Sequence, residues 1–536
     1  MTDEVGTSVS RRRLLSMIGV TAGGTAMYQA MHSLGFAAES SFKGPSKLAA
    51  APKGASVLVL GAGMAGLVAA FELRNAGYKV QVLEYNARAG GRNWTLRGGD
   101  RYTELGGDTQ ECRFDPGLYI NPGPWRLPYH HHGMLSYCKR LGVALEPFVQ
   151  INHNAYLHSS NAFGGKPQRL RAVKGDYNGH VAELLAKATQ NHALDADVTA
   201  EDRALLLDSL QASGALDRNY RYVKGFGSSD RRGFDKEPGG GLSAKPIYSQ
   251  PVALGDLLKS GLWAALSFGD LYDMQTTMFQ PVGGMGMVGQ AFGRELGPLI
   301  RYNAKVIDID QNDHGVSVSY EDLSAGSAKQ TAKADWCVCT IPLSILGQIP
   351  MKVGGPMAKA IASVPYNTGL KVGLQFKRRF WEEDEQIYGG ITYTDLPIGQ
   401  ISYPSSRFFA AGKGVLLGAY IWDMFNSMHF SSMSPAERVA KAVEYGSQIH
   451  PQYAQEFDNG VAVAWHRVPS AMGCFGLWSD AARAEHYDNL CAFDGRIVLA
   501  GEHASYMPAW QEGAVTSALD ALGRLQQRAL AAGASA

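Results

Sequence analysis

Ser56-Val57-Leu58-Val59-Leu60-Gly61-Ala62-Gly63-Met64-Ala65-Gly66 is a short β-rich run that passes straight into a GxGxxG turn. Helical spacing follows from Leu67 to Ala76 and is closed by Gly77. Lys79 to Leu83 then predicts a second strand that ends on Glu84. A βαβ unit of about thirty residues with this motif at its first turn binds a dinucleotide. Gly61 permits the tight turn, Gly63 lets the backbone approach a pyrophosphate, and Gly66 lets helix and strand pack closely. Met64 and Ala65 lie inside the motif and are counted with the glycines as cofactor-binding. The helix N-terminus offers free N–H groups and a positive dipole end to the phosphates. Glu84 is placed to accept hydrogen bonds from both ribose hydroxyls.

Composition narrows the partners. The chain has 536 residues, enough for two or three domains, with 45% hydrophobic and 18% charged residues. A formal charge of +1 gives no basic face for nucleic acid. No apolar run reaches the roughly 20 residues of a membrane span, so no membrane is expected for the mature form. Ser10-Arg11-Arg12-Arg13-Leu14-Leu15, the mildly apolar stretch from Met17 to Met31 and small residues at Gly35 to Ala38 resemble a twin-arginine export signal. Residues 1–38 are therefore expected to engage the export machinery and be removed, with 39–53 as a linker and a periplasmic or secreted mature protein. The six cysteines show no metal-ligand spacing, so buried thiols, at most one disulfide and no zinc are expected. His130-His131-His132 invites a metal reading, but it begins an expected helix, where consecutive side chains diverge. No metal is expected.

Which dinucleotide binds is decided further along. Arg88-Ala89-Gly90-Gly91-Arg92 and Glu104-Leu105-Gly106-Gly107 follow the acid, and NAD domains have no need of them. Here the chain resembles the flavin amine oxidase family, which includes monoamine, polyamine and L-amino acid oxidases. The resemblance continues through Gln280–Met285, Ala304–Ile309 with Val306, Trp336–Pro342, and Leu499-Ala500-Gly501-Glu502. It implies FAD as cofactor, contacted by Arg92, Val306, Glu502 and Gln511, where the final helix opens. It adds Gly123, Pro124, Trp125, Arg126, Ala509 and Trp510 to the cofactor-contacting set. Ala509 stands where relatives often have glycine.

The resemblance also assigns roles. Lys371, in Gly369–Leu374, matches the lysine that holds a water against the flavin and supports the oxygen half-reaction. Arg126, in Gly123-Pro124-Trp125-Arg126-Leu127-Pro128, matches the arginine with which L-amino acid oxidases grip the substrate carboxylate. Tyr403 matches a tyrosine that bonds the same carboxylate. Trp510 and Trp465 match the aromatic walls around the substrate nitrogen. His131 matches a family histidine near the active-site helix. Cys474 aligns with the cysteine that tethers flavin in monoamine oxidases. Its neighbours Ala471-Met472-Gly473 look more like the amino acid oxidases, whose flavin is noncovalent, so noncovalent FAD is expected and a link through Cys474 is the alternative.

The expected fold is α/β: an FAD-binding, Rossmann-like domain from residues 54–92, 276–346 and 487–536, with a mixed-sheet substrate domain from 93–155 and 347–486. A helical insertion is expected over 156–275, where the resemblance thins. The expected activity is oxidative deamination of an L-amino acid by oxygen, with ammonia and hydrogen peroxide released. Three rivals remain: an oxidase of amines without a carboxylate, a periplasmic dehydrogenase with another electron acceptor, and a flavin-bound protein without turnover. Relatives often pair, so a homodimer is also open.

Overall fold

In a computed structural model of the chain, residues 42–44 and 48–534 are described. The export signal and part of the linker lie outside them. The strand Ser56–Leu60 sits centrally in a six-stranded sheet with the order Ile300–Arg301, Lys79–Leu83, Ser56–Leu60, Trp336–Cys339, Ile497–Leu499 and Phe493–Asp494. Its pairings are parallel except the last, which is antiparallel. The three expected segments are thus interleaved in one sheet.

Local chemistry explains the first turn. Met64–Asn75 forms the helix after Gly63. A Cβ on Gly66 would lie 1.9 Å from the Gly61 carbonyl oxygen, so only glycine lets the helix rest this closely on the strand. The helix buries Leu67, Val68, Leu73 and Phe71 against Val57, Val59 and the last helix, Gln511–Ala534.

A second, seven-stranded sheet runs from Gln168–Arg169 through Tyr156–His158, Ile391–Thr394, Gln400–Ser402, Gly414–Ile421 and Leu370–Phe376 to Phe457–Ala464. It is antiparallel except where Ile391–Thr394 pairs in parallel with Tyr156–His158. This is the mixed substrate sheet. Two of its strands come from the segment expected to be insertion, so the helical part starts later, at Leu170–Gln190. Helices Ala200–Gly214, Phe226–Arg232 and Leu254–Ser260 and the 3-10 turns Leu262–Gly269 and Tyr272–Met274 complete it. Among the described residues no helix is long and apolar enough to cross a membrane. All six cysteines are unpaired, so the one disulfide left open is not formed.

One buried ion pair joins the segments. Arg438 Nη1 donates to Glu104 Oε2 at 2.9 Å, and both side chains are fully buried. Such a pair is costly to break because the surviving charge stays desolvated. Arg438→Ala is expected to lower unfolding stability by about 3–5 kcal/mol in chemical denaturation. A change below about 1 kcal/mol would show that Glu104 is held by other groups.

Candidate active site

The carboxyl ends of four parallel strands open on one cavity of about 770 Å³, lined by Gly61, Glu84, Thr340 and Gly501 just past those ends. Ligands of open α/β sheets bind at this edge. Gly63, Met64, Ala65 and Val306 line the same end. A Cβ on Gly63 would project into open space, so the glycine leaves room in the cradle rather than avoiding a clash. Glu84 is held in place: Oε2 accepts from the Ala62 N–H at 2.5 Å, and Oε1 accepts from the Asn86 backbone and side-chain amides at 2.8 and 2.6 Å.

Toward the middle, Arg92 Nη1 donates to Glu502 at 2.9 Å and to the Cys474 carbonyl at 2.6 Å. Burial works to lower the Arg92 pKa, but the Glu502 charge and hydrogen bond together with Tyr366 and Cys474 outweigh it, and the net effect is a rise. Gln511 opens the last helix and accepts a short hydrogen bond from Asn93. Ala509 lines the cavity with a φ of 68°. That left-handed backbone is why glycine suits this position and what alanine must tolerate here.

At the far end, Arg126 is 9% exposed. Its Nη2 donates to Met274 Sδ at 3.1 Å, while Nε and Nη1 are buried without a hydrogen-bond partner. Among the described residues no carboxylate lies within 4.0 Å of it. Its charge rests instead on rings, with Cζ 5.1 Å from the Trp125 centroid and 5.9 Å from that of Trp510. Burial lowers its pKa. A structural ion pair at a domain boundary is therefore not what holds this residue.

Lys371 points inward from the strand Leu370–Phe376. Its Nζ donates to the Gly123 carbonyl at 2.5 Å and stands 4.5 Å from the centroids of both Trp125 and Tyr420. Burial pulls its pKa down to about 7. Gly123, Pro124, Trp125, Trp465 and Trp510 all line the cavity, as do Cys474 and Phe475. Trp465 is pinned by its Nε1–H donating to the Pro122 carbonyl at 2.7 Å.

Two expectations fail. Tyr403 is not in the cavity wall; it is 1% exposed, and its hydroxyl bonds Thr392 Oγ1 at 2.8 Å and His450 Nε2 at 2.7 Å. The reason is strand parity: Gln400 faces the cavity, so Ile401 and Tyr403 fall on the opposite face, in the core. Tyr393, which pairs in register with Gln400, and Tyr420 line the cavity, as does Tyr85 beside Glu84. The second failure concerns the histidines. The helix begins only at His132, so His130 and His131 lie before it and are free to converge. Both turn to Asp273, with ligand-type atoms of the three residues within 4.8 Å of one another. The divergence argument against a metal does not apply to this pair. His130 Nε2 is hydrogen-bonded to Asp273 Oδ1 at 3.0 Å.

A dinucleotide cradle continuous with an aromatic cavity that holds two buried cations defines a flavoprotein oxidoreductase site. The chain belongs to the flavin-containing amine oxidoreductases, whose family model matches residues 64–521. The putative L-amino-acid oxidase YobN of Bacillus subtilis (strain 168) is 28% identical over 86% of this chain and 93% of its own length. The L-amino-acid oxidase of Siganus canaliculatus is 29% identical over 88% and 86%. Among solved structures, cyclohexylamine oxidase from Brevibacterium oxydans superposes with a TM-score of 0.58 at 16% identity, over 89% of this chain and 99% of that one. Putrescine oxidase bound to putrescine gives 0.57 at 17%, over 88% and 98%. These structures share the fold.

The Arg92–Glu502 pair is predicted to be a condition of flavin binding. Arg92→Met should lower flavin affinity by about 100-fold or more, read as visible flavin absorbance per mole of purified protein. Full flavin content in that variant would show that the pair is only structural.

Proposed function

We propose that this protein is an FAD-dependent oxidase of L-α-amino acids. The amino acid, oxygen and water become the 2-oxo acid, ammonia and hydrogen peroxide. One observation carries the reading: Arg126, a buried guanidinium with two unpartnered nitrogens and no carboxylate among the described residues within 4.0 Å, in the cavity that the dinucleotide cradle enters. A guanidinium so placed asks for a planar anion, and a carboxylate fits its fork. Simple amines carry none. The names of the two curated relatives support the substrate class and its L configuration.

FAD, when bound, supplies the two-electron sink that takes the hydride from the α-carbon and returns the electrons to oxygen. The chain's own residues position and desolvate. Arg126 holds the carboxylate, which displaces the Met274 thioether, a weak acceptor. Trp465 and Trp510 wall the amine and exclude water. Lys371 Nζ presents a proton and, when charged, stabilises negative charge that develops on oxygen. Glu84, Arg92, Glu502 and Gln511 would hold the cofactor. Attachment is read as noncovalent from the Ala471-Met472-Gly473 flank of Cys474, and the raised thiol pKa of about 11 fits a thiol that is slow to react. Acid denaturation should then release all the flavin into solution, and flavin retained on the polypeptide would refute this. Export by the twin-arginine route, resting on Ser10–Leu15 and Gly35–Ala38, belongs to the same reading.

Arg126→Met is expected to raise the KM for L-amino acids by about 100-fold or more, with far less effect on the decarboxylated amines. Equal effects on both would remove the carboxylate assignment. Lys371 gives a pH test. With its pKa near 7, Nζ is charged below that pH and neutral above it. The kcat/KM for oxygen should therefore fall as pH rises through about 7, and Lys371→Met should flatten that limb. An unchanged pH profile in the variant would assign the limb to another group.

A further inference from the structure

The substrate end of the cavity carries two acceptors that deamination does not use. Asp273 lies in the turn Tyr272–Met274, lines the cavity and is 7% exposed. His130 Nε2 bonds its Oδ1 at 3.0 Å, and His131 Nε2 stands 3.8 Å from the same oxygen. Both contacts fall on Oδ1, so the carboxylate keeps acceptor capacity on Oδ2. Burial works to raise the Asp273 pKa, but the two imidazoles outweigh it and hold it below its ordinary value, so the group is ionised at neutral pH. His131 is held neutral by burial and sits edge-on to Trp510, 5.0 Å between centroids.

The second acceptor is Gln150, 2% exposed, whose side chain meets the Tyr393 hydroxyl while its Oε1 has no hydrogen-bond partner. It lines the same cavity, and its segment meets that of Asp273: a Cβ on Gly269 would lie 2.9 Å from the Ile151 side chain. Beside them Phe268 stacks on Tyr393, with centroids 4.7 Å apart and planes 5° apart. That pair offers a flat apolar face to an aliphatic stem. An apolar side chain would leave Asp273 Oδ2 and the amide oxygen without a donor, which is costly in a desolvated site.

We propose that Asp273, assisted by Gln150, restricts the enzyme to L-amino acids whose side chain ends in a cation, an ammonium or a guanidinium. The inference rests on the deamination reading and names its substrate class. With such a substrate the charges close in two pairs: α-carboxylate with Arg126, side-chain cation with Asp273. The simpler role for Asp273 is to anchor its turn through His130, and this predicts no preference among side chains.

The test is peroxide release by the holoenzyme from matched substrates: L-lysine against L-norleucine, and L-arginine against L-citrulline. Wild-type kcat/KM should favour the charged member of each pair by at least about 30-fold, and Asp273→Asn should cut that ratio by a similar factor. The wild-type comparison needs no variant to fold. Ratios near one, or ratios unchanged in Asp273→Asn, overturn the role of Asp273 and leave deamination standing. Turnover of amines with no turnover of any L-amino acid overturns both.

Discussion

A guanidinium taken out of water with no carboxylate among the described residues within 4.0 Å, and only the more distant Asp273 charge to offset it, is the constraint around which this cavity is organised. The effective penalty for burying such an ion is several kcal/mol. Trp125 and Trp510 offset part of it through their ring faces, each contact being worth about 1–2 kcal/mol when desolvated. The remainder is stored as affinity for an anion. Lys371 adds to the same logic. Burial, with a smaller push from the Arg126 charge, brings the lysine pKa down to about 7, so it gives up its proton easily while the arginine does not. The arginine thus keeps a permanent charge for recognition, and the lysine has a movable one.

The two sheets make this arrangement rigid. Arg126 directly precedes a third, three-stranded sheet, in which Leu127–Pro128 pairs with Met278–Pro281, which also pairs with Leu145–Phe148. Lys371 comes from the start of Leu370–Phe376, the strand next to the edge of the substrate sheet, and Trp510 from the turn before the last helix of the cofactor domain. Glu512 in that helix accepts from the Gly133 and Met134 N–H groups at 2.8 Å each, at the N-terminus of the helix His132–Arg140. A carboxylate there satisfies two orphan donors and meets the positive dipole end. It also ties the wall that carries Trp510 to the segment that carries Arg126.

The cofactor half of the site was legible because its signals are local. The turn after Ser56–Leu60, the acid at Glu84 and the helix start at Gln511 each lie within a few residues of what they position. Lys371, Arg126, Trp465 and Trp510 were legible through motifs with distinctive flanks. Tyr403 was not, because a difference of one residue in strand parity sends a side chain to the other face, and the segment Ile401-Ser402-Tyr403-Pro404 carries no mark of which face is inside. Asp273 was out of reach altogether. It meets His130 across 143 residues, from a segment without family landmarks, and no periodicity encodes such a meeting.

The most direct measurement is peroxide release by the purified yellow protein across the twenty L-amino acids and their decarboxylated amines. The account predicts release from L-amino acids and little or none from the amines. Release from amines alone would contradict it, because Arg126 would then sit in the cavity with no carboxylate to hold.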